Sequence, residues 1–227
     1  MTMLWELGWW WARTSARAHG VVAGLRGFRM PQPDESWDWL TETWARRAGD
    51  ALPLSWSVRS HLAERWVRFH SLPDSQRYAG CEDEYEILLD RHFQVLAALR
   101  DDDDSDLVAI HLRCDAEGRF SAEAEFRKVA AEWALWRTFE SEVDGDPDVA
   151  LQQYAFVQRL PLAREVLDPL LRRTADGVDA TVFTNEAVDW IYAPYDGGAD
   201  VIAPTLADRD HLREEYADWL SIHPTGL

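Results

Sequence analysis

The sequence predicts an α+β fold: a single domain in which a central mixed, mostly antiparallel sheet of about six strands is flanked by helices. Segments with helical and with strand periodicity are interspersed irregularly, and at least two pairs of predicted strands are joined by short turns, as antiparallel neighbours are. A third observation disfavours a doubly wound nucleotide-binding fold. Such a fold needs a glycine-rich first turn, and neither GxGxxG nor GxxxxGK[ST] occurs in the sequence.

The chain begins with a predicted helix, a strand and a second helix. Residues 33–52 carry large apolar side chains at helical spacing, which we assign to the core: Trp37, Leu40 and Trp44. Residues 58–64 are ambiguous, whereas residues 65–72 alternate as a strand does until Pro-Asp-Ser breaks the pattern. Residues 82–100 form the clearest helix, because their apolar residues share one face and the acidic residues at their start favour a helix N-terminus.

The middle of the chain alternates between loop, strand and helix signals. Residues 101–106, DDDDSD, predict a solvated loop and not a metal site, because consecutive carboxylates point in different directions. A strand is predicted at 107–114 and a helix at 121–133. Two further strands, at 135–143 and 150–160, flank DGDPD, which is typical of a hairpin turn.

The last third of the chain has the most regular pattern. A helix at 161–177 is followed by strands at 180–184 and 188–194, a glycine-containing turn and a short strand at 200–204. The stretch Thr205–Asp208 then resembles a capping box in which Asp replaces the usual Glu. It opens a helix whose apolar residues share one face: Leu212, Tyr216, Trp219 and Leu220.

The turn within PYDGGADV has two interpretations. Asp196 and Asp200 bracket Gly197 and Gly198, and a metal ion needs several converging oxygens, of which the two carboxylates supply a part. A tight turn between two strands explains the same residues without a ligand, with both glycines at positive φ. We favour the turn. No two histidines have i,i+4 ligand spacing on a helix, so the sequence predicts neither a metal nor a cofactor.

A second candidate site is the segment RFHSLPDSQRY. Arg68 and His70 are two residues apart and therefore share one face of the predicted strand, while Arg77 and Tyr78 follow the loop. Arg68, Ser71, Ser75 and Arg77 are candidates to converge on an anion, and Tyr78 is a further anion-binding candidate. The alternative, which we favour, is that Arg68 and Arg77 form ion pairs with the acidic residues of 82–86. His70 is then a core or edge residue whose ring nitrogens are hydrogen-bonded.

Charge and cysteine content restrict the function classes. The chain has 41 acidic and 23 basic residues, a net charge of −18, which disfavours binding to nucleic acid or to anionic membranes and suits a basic protein partner. Cys81 and Cys114 are too few for a disulfide framework and do not form a CxxC pair. Reduced thiols in a cytoplasmic protein are the simplest interpretation.

Residues 1–29 differ from the rest in composition. They hold four of the 13 tryptophans and four arginines against one glutamate. The arginines follow the apolar part, which is the wrong order for a signal peptide, and no run is long enough to span a membrane. Three interpretations of residues 1–29 remain: a short amphipathic interfacial helix, a packing arm, or translated upstream sequence before a true start at Met30. We favour the last, and we therefore expect residues 1–29 to be an extension that packs poorly and residues 30–227 to be the single domain.

Two segments together carry a resemblance. WVRFHSLPDSQRY followed by EDEYEILLDRHFQVL, and later YAPYDGGADVIAPTLADRDHLREEYADWLSIHPTGL, resemble an uncharacterised bacterial family that is known only as a domain of unknown function. Its members carry similar Arg-Phe-His-[Ser/Thr]-Leu-Pro and Pro-Tyr-Asp-Gly-Gly-x-Asp-Val segments in that order. The likeness covers about residues 55–227. It implies no activity, substrate or catalytic residue, but it directs attention to six positions: Arg68, His70, Arg77, Tyr195, Asp196 and Asp200.

Two hypotheses about function follow. The first is an acidic binding protein that acts through protein–protein contact, one version being the neutralisation of a basic toxin. The second is a hydrolase or transferase acting on an anionic small molecule. In it, Arg68 and Arg77 hold the anion, His70 is the acid–base group, and Asp196 or Asp200 orients it or binds Mg²⁺. The second hypothesis requires the two segments to meet in space.

Overall fold

A computed structural model of the protein describes residues 31–100, 105–115, 128–129, 131–143 and 146–220. These residues form one sheet of seven strands with five α-helices packed on it, which confirms the α+β fold class. The predicted N-terminal extension, most of the acidic loop and most of the predicted helix at 121–133 lie outside the described residues.

The seven strands follow the predicted pattern closely. In chain order they are β1 (Trp66–His70), β2 (Leu107–Asp115), β3 (Ala134–Val143), β4 (Asp146–Leu160), β5 (Ala180–Thr184), β6 (Ile191–Tyr195) and β7 (Gly198–Ile202). Their order across the sheet is β1-β7-β6-β5-β2-β4-β3, and every neighbouring pair is antiparallel.

The sheet differs from the prediction in two details: it has seven strands where about six were expected, and these strands include no parallel pair where a mixed sheet was expected. The physical reason lies in the connections. Consecutive strands β3–β4, β5–β6 and β6–β7 are adjacent antiparallel partners. Strands β4 and β5, which a helix connects, are kept apart by β2, so the crossover joins strands that are not neighbours.

The helices are α1 (Asp38–Ala48), α2 (Ser55–His61), α3 (Glu82–Arg100), α4 (Arg164–Ala175) and α5 (Leu206–Glu215). Most of the ambiguous segment 58–64 is therefore the end of α2 and the 3₁₀ turn after it. Gly49 and Gly177, with φ of 61° and 67°, follow α1 and α4, a conformation that glycine adopts without steric cost. Thr205 caps α5, because its side chain accepts a hydrogen bond of 3.2 Å from the Asp208 N–H.

Helices cover both faces of the sheet. One core lies under α3, α4 and α5 and includes Leu88, Leu96, Leu167 and Leu212. The other lies under α1 and α2 and includes Leu40, Trp44 and Val58, together with Trp37 as predicted. Alternate residues of each strand enter the two cores, and burying one large apolar side chain contributes about 1.5–3 kcal/mol. The sheet is therefore stabilised from both sides, which is why every residue of β7 and most residues of β5 and β6 are buried.

The edges of the sheet are β1 and β3. Helix α5 contacts β1, and Leu220 forms an isolated antiparallel bridge with Phe69 at the outer side of that strand. This arrangement covers part of the β1 edge, which would otherwise present unpaired backbone groups. Among the described helices, none has the length and apolar character needed to cross a bilayer.

Candidate functional site

The pairing of β1 with β7 brings the two sequence segments together. In this register Arg68 lies opposite Asp200, and His70 lies opposite Gly198. Directly opposed residues of an antiparallel pair have side chains on the same face. The RFHSLP and YDGGAD segments, more than a hundred residues apart in the chain, therefore meet at one edge of the sheet, as the enzyme hypothesis requires.

Asp200 is the centre of the first contact. Its carboxylate accepts hydrogen bonds from Arg68 Nε at 2.8 Å and Nη2 at 3.0 Å, and from Trp66 Nε1 at 2.8 Å. The Ser55 hydroxyl at the start of α2 donates to the same carboxylate. The Asp200 side chain is inaccessible to solvent, and that of Arg68 is 15% exposed. The bidentate geometry and the extra donors satisfy a carboxylate whose burial would otherwise be costly.

Asp196, in the turn between β6 and β7, makes the second contact. Arg77 Nη2 lies 3.0 Å from its Oδ1 and 2.8 Å from its Oδ2, and the Tyr78 hydroxyl donates to Oδ2 at 3.0 Å. Burial and this hydrogen bond raise the pKa of Tyr78. We refer to the two pairs, Arg68–Asp200 and Arg77–Asp196, as the arginine–aspartate clamp.

The clamp corrects one prediction. The alternative that Arg68 and Arg77 pair with residues 82–86 is wrong in its partners: their ion pairs are with Asp200 and Asp196. Glu82 pairs instead with Arg172 of α4, at 2.6 Å. The reason is the strand register, which places an aspartate opposite Arg68 inside the sheet, whereas the start of α3 faces α4.

The turn interpretation of PYDGGADV is confirmed, since β6 and β7 are antiparallel neighbours. The expected positive φ of both glycines is wrong, because the described glycines with positive φ are Gly49 and Gly177. Gly198 is needed for a different reason. A Cβ at this position would lie 2.1 Å from the Phe69 carbonyl oxygen, so the close approach of β1 excludes a side chain.

The remaining candidate, His70, does not contact the aspartates. It lies on the same face of β1 as Arg68, and its Nε2 is buried without a hydrogen-bond partner. Burial, together with the charge of Arg68, lowers the pKa of His70. The acid–base pairing of His70 with Asp196 or Asp200 is therefore not formed. Because each aspartate is occupied by an arginine, neither presents a free carboxylate to a metal ion, and the described residues contain no metal-binding group of three ligands.

A buried polar network between the sheet and α3 was not predicted from the sequence. The Ser71 hydroxyl lies 3.1 Å from His92 Nε2, and His92 Nδ1 lies 2.5 Å from the Tyr192 hydroxyl. All three side chains are buried, and burial lowers the pKa of His92 to about 4, so its imidazole is neutral at pH 7. No local spacing connects the three residues, so no sequence pattern could have identified them.

The network borders a small cavity. Its volume is about 10 Å³, and Ser71, His92 and Tyr192 line it together with Arg91 and Trp219. That volume corresponds to roughly one water molecule. Hydrolases and transferases that form a covalent intermediate use a nucleophile, a base and a group that orients the base. Ser71, His92 and Tyr192 are arranged in that order. In the conformation observed, the cavity has no room for a substrate.

Comparison with known proteins gives a family but no activity. Neither the curated proteins nor the solved structures include a significant match to the chain. One family model, described as a domain of unknown function (DUF3885), matches residues 54–224. The match includes both members of each clamp pair as well as Ser71, His92 and Tyr192. On the strength of a match over most of its length, the chain belongs to the DUF3885 family.

Proposed function

We propose that the protein is an acidic binding protein that acts by contact with a basic protein partner. The observation that carries the proposal is the clamp. The arginines that would hold an anionic substrate are engaged with Asp200 and Asp196. Their charges neutralise carboxylates of the protein itself, which supports a structural role for the two segments. We infer that the surrounding surface binds the partner.

Exposed aromatic residues flank the clamp. Trp56 is 49% exposed and Tyr78 is 48% exposed. Trp56 follows Ser55, which donates to Asp200, and Tyr78 itself donates to Asp196. The clamp thus fixes the backbone next to both rings. Tryptophan and tyrosine held in this way are the residue types that most often anchor protein–protein interfaces.

The charge of the nearby surface favours a basic partner. Helix α5 contacts β1, the strand that carries Arg68, and it is lined by four carboxylates against two arginines: Asp208, Asp210, Glu214, Glu215, Arg209 and Arg213. Arg209 already pairs with Asp210. An excess of carboxylates at the β1 edge of the sheet attracts a positively charged surface and steers its approach.

The test starts from the full chain immobilised on a resin and exposed to a lysate of the organism that encodes it. Retention of a protein does not by itself support the proposal. A retained basic protein is purified, and its affinity is measured by calorimetry for the wild type and for Trp56→Ser and Tyr78→Ser. We expect each substitution to weaken binding at least tenfold, and binding to weaken as ionic strength rises.

Val178→Ser is the matched control. Val178 has a comparable exposure of 42%, but it lies in the loop before β5, and β6 separates β5 from β7. Its affinity should equal that of the wild type. Equal affinities for all three variants, a partner whose binding is insensitive to salt, or no retained protein would each contradict the proposal.

The second candidate function is a hydrolase or transferase for an anionic small molecule, and the Ser71–His92–Tyr192 network is the observation that favours it. Turnover of anionic chromogenic esters, a phosphate monoester and a succinate half-ester, would be measured for the purified chain. An enzyme of this kind loses turnover in Ser71→Ala and keeps it in Ser75→Ala, since Ser75 is an exposed serine outside the network. No turnover above buffer, or equal turnover in both variants, rejects this candidate.

A further inference from the structure

Arg137, on strand β3, is held in an unusual position by a β-bulge. The pairing of β3 with β4 runs from Leu135 opposite Phe156 to Arg137 opposite Ala155, so Trp136 is an extra residue in β3. Bulges of this kind re-aim side chains and are frequent beside functional sites. This one turns Arg137 and Trp136 together toward the core under α1, where Trp136 Nε1 donates to the Thr41 hydroxyl at 2.8 Å.

Three aromatic rings surround the Arg137 guanidinium. Its central carbon lies 4.2 Å from the centre of the Trp136 ring, 5.6 Å from that of Phe139 and 6.0 Å from that of Trp44. Trp44 and Trp136 are themselves in edge-to-face contact at 5.7 Å. We call these three rings, Trp44, Trp136 and Phe139, the aromatic cage. Cation–π contact stabilises the charge in part, by about 0.5–2 kcal/mol.

The cage leaves two of the three guanidinium nitrogens of Arg137 without a hydrogen-bond partner. Nε and Nη2 are buried and have no hydrogen-bond partner, and no ion pair joins Arg137 to a carboxylate within the part of the chain that the structure describes. Burial alone lowers the pKa of Arg137 to about 10. Arg68 differs from Arg137: it also lies on a strand, but Asp200 accepts two hydrogen bonds from its guanidinium.

An arginine in this state costs stability, because its desolvation is not offset by an anion. In a chain with 41 acidic residues, an internal carboxylate partner is easily available, as the clamp shows. Residues that lower stability are typical of sites that bind a ligand. The residue as a whole is only partly buried, although its Nε and Nη2 are buried.

We propose that Arg137 and the aromatic cage form a binding site for a small organic carboxylate. A guanidinium presents parallel N–H groups that match the two oxygens of a carboxylate. The rings offer flat apolar surface to the body of the ligand, which favours an unsaturated or aromatic acid over a purely polar anion. A phosphate dianion is disfavoured, because the cage contains one cation only. This site is independent of the function proposed above.

The site includes a helix outside the family match. Trp44 lies in α1, N-terminal to the matched residues 54–224, whereas Arg137, Trp136 and Phe139 lie within them. We therefore assign the complete site to this chain and make no such assignment for the family.

The experiment uses the full chain and two probes of nearly the same shape, benzoate and its neutral counterpart benzamide. Binding is followed by tryptophan fluorescence and by chemical-shift changes of the tryptophan indole N–H groups. We expect saturable benzoate binding in the millimolar range or tighter, benzamide binding at least tenfold weaker, and loss of benzoate binding in Arg137→Met. Arg137→Lys, which keeps the charge without the planar fork, should bind benzoate at an intermediate level.

The stability of the Arg137→Met variant distinguishes a binding role from a purely structural one, because a structural role predicts that the variant is less stable than the wild type. If Arg137 is kept for a ligand, Arg137→Met unfolds at the same or a higher denaturant concentration than the wild type, because an uncompensated charge has been removed. If Arg137→Met does not fold or unfolds at a lower denaturant concentration, the stability expectation fails, and Arg137→Gln replaces it in the binding measurement. No benzoate binding, equal binding by wild type and variant, or tighter binding of inorganic phosphate than of benzoate overturns the proposal.

Discussion

Asp200 accepts hydrogen bonds from three side chains while remaining inaccessible to solvent. Asp200→Ala leaves Arg68 buried without its counter-ion, which costs about 3–5 kcal/mol. We therefore expect a large fall in the free energy of unfolding measured in urea. Asp196→Ala is the matched control. Its partner Arg77 is 46% exposed, so we expect a loss of about 1 kcal/mol or less. Similar losses for the two variants would contradict this ranking.

His92 makes stability depend on pH. Burial lowers its folded-state pKa to about 4, whereas an unfolded histidine titrates near 6.5. Between these values the unfolded state binds more protons, so the stability present above pH 6.5 is lost as pH falls toward 4. The loss reaches roughly 3 kcal/mol. Urea unfolding at several pH values should show this slope.

His92→Gln should reduce the pH dependence in that window, since Gln can still hydrogen-bond to Ser71 or Tyr192 but does not titrate. His111 is a second buried histidine, with a pKa lowered to about 4 by burial and the charge of Arg113, so part of the slope remains. The same substitution at exposed His211 is the control. An unchanged slope in His92→Gln would show that His92 is not a source of the effect.

At the scale of elements, the contact of β1 with the β6–β7 hairpin depends on one glycine. A Cβ at Gly198 meets the Phe69 carbonyl oxygen at 2.1 Å, a backbone atom that moves only if β1 separates from β7. We expect Gly198→Ala to destabilise the fold by roughly 2–4 kcal/mol. The measurement is thermal unfolding.

Gly197→Ala is the control for this clash. Its Cβ would meet the flexible Arg77 side chain at 3.3 Å, which can move aside, so the expected loss is below about 1 kcal/mol. Gly198→Ala should also weaken the Arg68–Asp200 pair, because Asp200 is two residues further along β7. Equal losses in the two variants would show that the strand approach is not the constraint.

Element boundaries were predictable where the local pattern was strong. The helix predicted at 82–100 coincides with α3, and the strand at 180–184 coincides with β5. Each of these two segments has a single hydrophobic periodicity along its whole length, and this periodicity is visible in the local sequence. Residues 58–64 were ambiguous because α2 ends inside them and a 3₁₀ turn follows, so no one period holds across the segment.

At the scale of the whole molecule, the net charge of −18 affects stability. Like charges repel across a compact chain, and salt screens this repulsion. Raising the ionic strength from about 0.01 M to 0.15 M shortens the screening length from about 30 Å to 8 Å. We expect the free energy of unfolding in urea to rise over this range. A fall would indicate that exposed ion pairs such as Arg172–Glu82 outweigh the general repulsion.

The candidate site was only partly predictable. The residues of the clamp were identified, because arginine and aspartate clusters stand out in their local sequence. Their pairing was not, because Arg68 meets Asp200 through strand register and not through sequence distance. The Ser71–His92–Tyr192 network had no local signal, since it joins residues from three parts of the chain. The cage could not be predicted either, because it depends on the contact of Trp44 in α1 with residues of β3.

The sequence by itself determined the fold class, most helices and strands, the acidic balance and the resemblance to a family of unknown function. These follow from periodicity, turn chemistry and composition, which are properties of neighbouring residues. The tertiary structure alone decided that the seven described strands are all antiparallel, that Arg68 and Arg77 pair with aspartates, and that Nε and Nη2 of Arg137 are buried without a hydrogen-bond partner among the described residues. Pairing and burial depend on which distant residues come together, and they decide the free energy of a charge because both solvation and Coulomb interaction change with its surroundings.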